Sequence, residues 1–263
     1  MKTLALCADD YGLSAPVSRG ILRLAAMQRL SHTSCIVNTP TWPALAGELA
    51  GSGLRAGLHL NLTEGRPLNP ALAALWPKMP ALPALILQAH RHRLPLAALR
   101  EEWRVQLDAF EQATGQHPTH IDGHQHVAHL PQLRDLLLEL LARRPGVVAR
   151  HTGRVDGPGF AFKRWMIART GGRALGRELD RLGRAQNRQL LGVYDYSAPY
   201  RPRMQAWLKA ASAQGALIFC DPGEPGAEDA IASARGRELD YLASPEFPGD
   251  LADAGARLGL SRT

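Results

Sequence analysis

Cysteine is scarce in this chain. Cys7, Cys35 and Cys220 are the only three among 263 residues, too few and too scattered for a disulfide framework or a zinc knuckle. Each lies in an apolar, strand-like run, where a small buried hydrophobe is the expected role. Long apolar runs are missing as well. None approaches the roughly 18 apolar residues of a membrane span, and Asp9 and Asp10 interrupt the N-terminus before a signal-peptide core can form. The expectation is a cytoplasmic protein with no membrane span. Lysine occurs only at Lys2, Lys78, Lys163 and Lys209, none of them late in a central strand. This argues against a binuclear amidohydrolase or phosphoesterase barrel, in which a strand lysine often bridges two metals.

What is present is ordinary for a folded chain: 45% hydrophobic and 21% charged residues. Chains of this size bury about 75% of the surface they expose when unfolded, so neither a disulfide nor a metal is required for folding. The net charge of +7 is concentrated in one place. Residues 150–188 hold ten Lys or Arg against Asp156, Glu178 and Asp180, a surplus equal to that of the whole chain. Arg173, Arg177, Arg181, Arg184 and Arg188 recur at three- and four-residue steps, while Leu175, Leu179 and Leu182 mark another face. The pattern predicts a basic amphipathic helix over 173–188, suited to solvent or to an anionic surface. No known nucleic-acid-binding module accompanies the charge, so nucleic acid is not expected as a partner.

Short apolar runs alternate with helical patterns, which predicts α/β architecture with a largely parallel sheet. Expected strands are 3–8, 33–37, 55–60, 119–122, 147–151, 190–194 and 216–220, with 256–260 as a further candidate. Helices are expected near 15–28, 96–114, 132–143, 204–213 and 228–242. About seven parallel strands with interposed helices suit one distorted, TIM-like (β/α) barrel spanning 1–263. The Pro-rich stretch 63–95 and the basic stretch 152–188 both follow strand ends and read as loops or caps over the barrel mouth.

Functional groups in such a barrel gather at the carboxyl ends of strands. Asp9 and Asp10 stand at the end of the first strand, where alternation sends them to opposite faces; one carboxylate can then bind a metal while the other acts as a base. The pair equally suits a helix cap. Gly57, His59 and Asn61 share the polar side of another strand end. Four histidines and an Asp fall within His120–His129, and imidazole is the commonest metal ligand in proteins, its second N–H often held by a carboxylate. Which of these histidines bind is open on spacing alone. Asp221 ends one further strand within Asp221-Pro222-Gly223, which is also turn chemistry. An Asp, two His and an open position describe a hydrolytic metal centre, where the metal lowers the pKa of a bound water to about 7. Metal-assisted hydrolysis of an amide or ester is the expected reaction class.

Three segments carry a resemblance: Ala8-Asp9-Asp10-Tyr11-Gly12-Leu13-Ser14, Gly57-Leu58-His59-Leu60-Asn61-Leu62-Thr63 and Thr119-His120-Ile121-Asp122-Gly123-His124-Gln125-His126-Val127. In order and separation they resemble the signature segments of the YdjC-like carbohydrate deacetylases, a family that includes chitooligosaccharide and hopanoid-biosynthesis deacetylases. The resemblance runs from the first strand to Leu258-Gly259-Leu260. It implies a distorted barrel that binds one divalent metal, magnesium or zinc, and removes acetyl groups from N-acetylated saccharides or glycolipids. Carried over, Asp10, His59 and His124 would bind the metal and Asp9 would be the general base. Tyr11, Asn61 and His126 stand beside them as candidate substrate contacts, and pairing into a homodimer is common among such barrels. Two positions depart from the family pattern. Relatives usually show Cys-His-Pro-Gly where this chain has Cys220-Asp221-Pro222-Gly223, and commonly another His in place of Ala128. If the family histidine protonates the departing amine, Asp221 must do so here, and with a free pKa of about 3.9 it needs burial or a neighbouring carboxylate to stay protonated. A sugar- or lipid-binding protein that has lost turnover is the non-enzymatic alternative.

Overall fold

The computed structural model describes residues 1–197 and 199–259. Its strands are β1 (Lys2–Tyr11), β2 (His32–Cys35), β3 (Arg55–Leu60), β4 (His120–Gly123), β5 (Val148–Ala149), β6 (Gln189–Leu191), β7 (Ala216–Cys220) and β8 (Ala256–Leu258). Seven of them, in the order β5-β4-β3-β2-β1-β7-β6, curl into a half-barrel flanked by helices, and β8 pairs with the start of β1. Every pairing is parallel. Along one edge of β1, Lys2–Leu4 pair with β8 and Ala5–Ala8 with β7. The expected eighth strand is therefore real over Ala256–Leu258, while Leu260 lies outside the described residues.

Alternation along the strands separates two environments. Leu4, Leu6 and Ala8 of β1 and Ala216, Ile218 and Cys220 of β7 join the large core against the helices; Ala5, Cys7, Leu217 and Phe219 meet Leu190 and Val193 in a smaller cluster on the other face. That inner face turns polar on the neighbouring strands. Ser34 of β2 and His120 of β4 are buried there and hydrogen-bonded to each other at 2.9 Å. Gly57 of β3 makes room for them, since a Cβ at this position would stand 2.3 Å from the His120 ring. No helix among the described residues is long and apolar enough to cross a membrane.

Two expectations about the basic segment require correction. The basic helix runs only from Arg173 to Arg181. Gly183, at φ 59°, closes it with a Gly183 N–H to Asp180 carbonyl bond of 3.1 Å and an Arg184 N–H to Leu179 carbonyl bond of 2.9 Å, a Schellman stop that leaves Arg184 and Arg188 off the helix. Leu182 is exposed, so only Leu175 and Leu179 form its buried stripe. The stretches read as loops or caps carry short helices, Pro70–Leu75 and Leu82–His90 in the first and Ala161–Ile167 in the second. Before Arg173 the chain makes a π-helical segment, Ala168–Gly172, where Gly171 adopts φ 155°.

Candidate metal centre

The carboxyl end of β1 departs from strand geometry. Ala8 pairs with Thr33 but Tyr11 with Cys35, so β1 carries one residue more than β2 over this interval. Asp10 takes up the excess at φ 71°, a left-handed conformation that Asp tolerates better than most residues. The alternation expected of Asp9 and Asp10 is thereby overturned. Asp9 keeps the inward parity of Ala5 and Cys7, the bulge turns Asp10 inward too, and both line one cavity of about 530 Å³.

Asp9 is held by Arg150, whose Nη1 and Nη2 donate to its two oxygens at 2.7 and 2.8 Å. The Arg150 Nε lies 2.8 Å from Asp122 Oδ2, so a single buried guanidinium, just past β5, bridges two carboxylates. Asp122 in turn reaches His59: its Oδ1 lies 2.5 Å from His59 Nδ1. Burial pushes the Asp122 carboxyl up, but Arg150 and His59 outweigh it and hold the group well below the usual carboxylate range. With Nδ1–H committed to Asp122, the neutral form of His59 presents the lone pair of Nε2 to the cavity.

That nitrogen lies 3.5 Å from Asp10 Oδ1, and His124 Nδ1 lies 2.9 Å from the same oxygen. Asp10 Oδ1 is buried and accepts no well-aligned hydrogen bond from the described residues, whereas Oδ2 accepts one from Arg235 Nη2 at 2.7 Å. His124 follows Gly123, where a Cβ would stand 2.6 Å from the Ala128 nitrogen, so glycine permits the tight turn that brings the imidazole back. One ligand atom each from Asp10, His59 and His124 lies within 4.8 Å of the others. An orphaned carboxylate oxygen facing two imidazole nitrogens fits a divalent cation by donor chemistry. Asp9, His59 and Asp122 are as close together, but Arg150 and the His59 Nδ1–H already occupy their oxygens, so that set is internally satisfied.

Asp221 directly follows β7, which pairs with β1 up to Ala8 and Cys220, and it lines the same cavity as Asp9 and Asp10. The Tyr196 hydroxyl donates to its Oδ2 at 3.0 Å, and its own N–H donates to Glu238 Oε2 at 2.6 Å. Burial, reinforced by Asp10, pushes its carboxyl up to about 6. Both conditions for a protonated Asp are therefore present. His126, at φ 64°, also lines the cavity and packs edge-on against Phe219 at 5.5 Å. Glu64 and Leu82 from one inserted stretch and Lys163 and Ile167 from the other complete the walls.

Two expected substrate contacts are elsewhere. Tyr11 is buried against Trp42, its hydroxyl donating to the Leu45 carbonyl at 2.7 Å. Asn61 is buried, its amide donating to Asn38 and the Glu64 carbonyl and its oxygen accepting from Thr63 and Glu64 N–H, so no polar atom remains for a ligand. Within the histidine tract, His120 lies behind the site on Ser34, and His129 joins Thr152 to Thr170. Arg150 and Arg235 were not anticipated. In the sequence Arg150 is simply one more cation of the basic stretch, and Arg235 sits in the helix Ala232–Ala243; its signal is the i, i+3 spacing to Glu238, which puts both on the buried face.

The chain matches the family described as YdjC-like protein over residues 3–253. A carbohydrate deacetylase of Mus musculus is 33% identical over 149 residues, 52% of this chain and 46% of that protein. A chitooligosaccharide deacetylase of Enterobacter sp. (strain 638) is 33% identical over 159 residues, 57% of this chain and 59% of that protein. The chain thus spans about half the length of the curated relatives it matches. Among solved structures, a protein from Enterococcus faecalis V583 whose name links it to cellobiose-phosphate cleavage superposes with a TM-score of 0.77 at 20% identity, covering 98% of this chain and 97% of that one. A family 4 carbohydrate esterase from Streptomyces lividans superposes at 0.51 with 13% identity, covering 98% and 92%. At these identities the two superpositions concern the fold alone.

Proposed function

The chain belongs to the YdjC-like protein family, and from that premise we propose that it is a metal-dependent hydrolase that removes an acetyl group from an N-acetylated amino sugar or glycolipid. The observation that carries this reading is the orphaned, buried Asp10 Oδ1 between His59 and His124, with Asp9 lining the same cavity. The deacetylase names of the partial-length relatives support the substrate class.

Asp10, His59 and His124 would hold one divalent cation, zinc by ligand softness or magnesium with water completing its shell. When bound, such an ion polarises the acetyl carbonyl and acidifies water. The remaining work falls to the chain. Asp9, fixed in orientation by both Arg150 nitrogens, takes the proton of the attacking water. Asp122 keeps His59 in one tautomer. At the neighbouring strand end, Asp221 carries the proton that the departing amine needs, oriented by the Tyr196 hydroxyl. His126 and Phe219 form a wall for the sugar.

Acetate release from N-acetylglucosamine oligomers tests the reading. Asp9→Asn is expected to abolish release while retaining about one metal per chain; His59→Ala and His124→Ala are expected to lose the metal. Activity retained in all three variants would defeat the proposal, and two metals per chain would return the binuclear alternative. Full metal loading with no turnover on any N-acetylated saccharide would favour a binding protein.

A further inference from the structure

The helix Ala161–Ile167 buries none of its residues. Phe162, Trp165 and Met166 are 73%, 49% and 40% exposed, and the Phe162 and Trp165 rings stack with centroids 5.9 Å apart. A contiguous aromatic face on a helix of about two turns is not explained by packing. Its other side is engaged: Lys163 donates to the Tyr194 carbonyl at 2.7 Å, and Lys163 and Ile167 line the catalytic cavity. The exposed aromatic face thus belongs to the element that forms the cavity rim.

Charge decides what covers it. From Pro158 to Arg177 the chain has five cations and no carboxylate. The Arg169 guanidinium stands 5.8 Å from the Trp165 ring centre, and Arg173 and Arg177 lie on the exposed side of the next helix. A second copy docked about a two-fold axis would set these like charges against each other. An anionic bilayer receives both components, with Phe, Trp and Met entering the headgroup boundary and arginines pairing with lipid phosphates. We propose that Phe162, Trp165 and Met166, with Arg169, Arg173 and Arg177, form a docking face for anionic lipid membranes. Docking by this face sets the cavity mouth at headgroup level.

Co-sedimentation of the full chain with vesicles tests this, and needs no turnover, so it stands or falls separately from the deacetylase reading. The wild-type protein is expected to bind phosphatidylcholine vesicles containing about 30% phosphatidylglycerol, to bind phosphatidylcholine alone at least about tenfold more weakly, and to be released at 0.5 M salt. Phe162→Ser with Trp165→Ser is expected to weaken binding at least about tenfold, and Arg169→Glu with Arg173→Glu at least about fivefold. All four side chains are exposed, and circular dichroism checks that the variants fold; the lipid-composition and salt comparisons on the wild type need no variant. Absence of binding by the folded wild type, or binding indifferent to lipid charge and to both double variants, would overturn the proposal. So would a concentration-dependent dimer that ignores vesicles and is dissociated by the aromatic double variant, which would assign the face to a second copy.

Discussion

Asp221 shows how one residue's environment sets a pH profile. Its carboxyl is pushed up to about 6 by burial, reinforced by Asp10. An acid that must donate its proton works below its pKa, so kcat/KM, which reports the free enzyme, is expected to fall about tenfold per unit above roughly pH 6. Asp221→Asn should lower kcat/KM by about 10²- to 10⁴-fold and remove that limb; an unchanged limb would assign it to another group. Glu238, beneath Asp221, makes a stability prediction. Its oxygens accept from the Tyr194 hydroxyl and the Asp221 N–H, and burial, then Asp221, pushes it up to about 8. A carboxyl whose folded pKa is raised stabilises the fold fully below its unfolded pKa of about 4.3, and that contribution is lost as pH rises through the folded value. Glu238→Gln, neutral at every pH and able to accept from the Asp221 N–H while its amide donates to the Tyr194 hydroxyl oxygen, should therefore flatten the fall in Tm between pH 6 and pH 9. A wild-type-like fall in the variant would show that Glu238 is not the titrating group.

At the level of elements, the helix Leu96–Thr114 acts as a clamp on the segment that follows β3. Glu102, fully buried, accepts from the Leu68 and Asn69 N–H groups, and Gln106, one turn later, accepts from the Asn61 N–H and donates to its carbonyl. Glu102→Ala leaves the Leu68 and Asn69 N–H groups and one amide hydrogen of Gln106 without their acceptor and should cost about 3 kcal/mol, lowering Tm by about 6–12 °C. Glu102→Gln keeps one acceptor and should lose about half as much; equal Tm values for wild type and Glu102→Ala would remove the clamp. This helix, β3 and β7 were legible at their bounds because their patterns run without interruption. The two-residue periodicity failed at Asp10, where a bulge inserts a residue, and helical spacing overran Gly183, whose left-handed turn ends the helix. Asn61 carried the right parity but met local backbone donors and acceptors that satisfy it. Parity predicts a face, whereas use depends on which partners reach that face first.

Across the whole molecule, the site draws together groups whose order along the chain says nothing of their contacts. Arg150 binds Asp9 across 141 positions, and Arg235 binds Asp10 across 225. Strand ends could be read as places where ligands gather, but the guanidiniums that balance them could not, because curling the sheet is what creates these pairs. Their count also bears on the cation. Among the described residues, the buried carboxylates Asp9, Asp10 and Asp122 face two guanidiniums, Arg150 and Arg235, together with the imidazoles of His59 and His124, which balance charge only when protonated. A buried surplus of negative charge is unfavourable unless a cation joins it, so metal binding and folding should be coupled. Zinc or magnesium at about 100 times its Kd should add about 2.7 kcal/mol of stability, roughly 5–10 °C in Tm, and a chelator should reverse the gain. His124→Ala should abolish the shift. Asp9→Asn should keep it, since Arg150 holds Asp9 apart from the cation's ligands. A wild-type Tm indifferent to every divalent cation tried would mean that the orphaned Asp10 oxygen has some other partner.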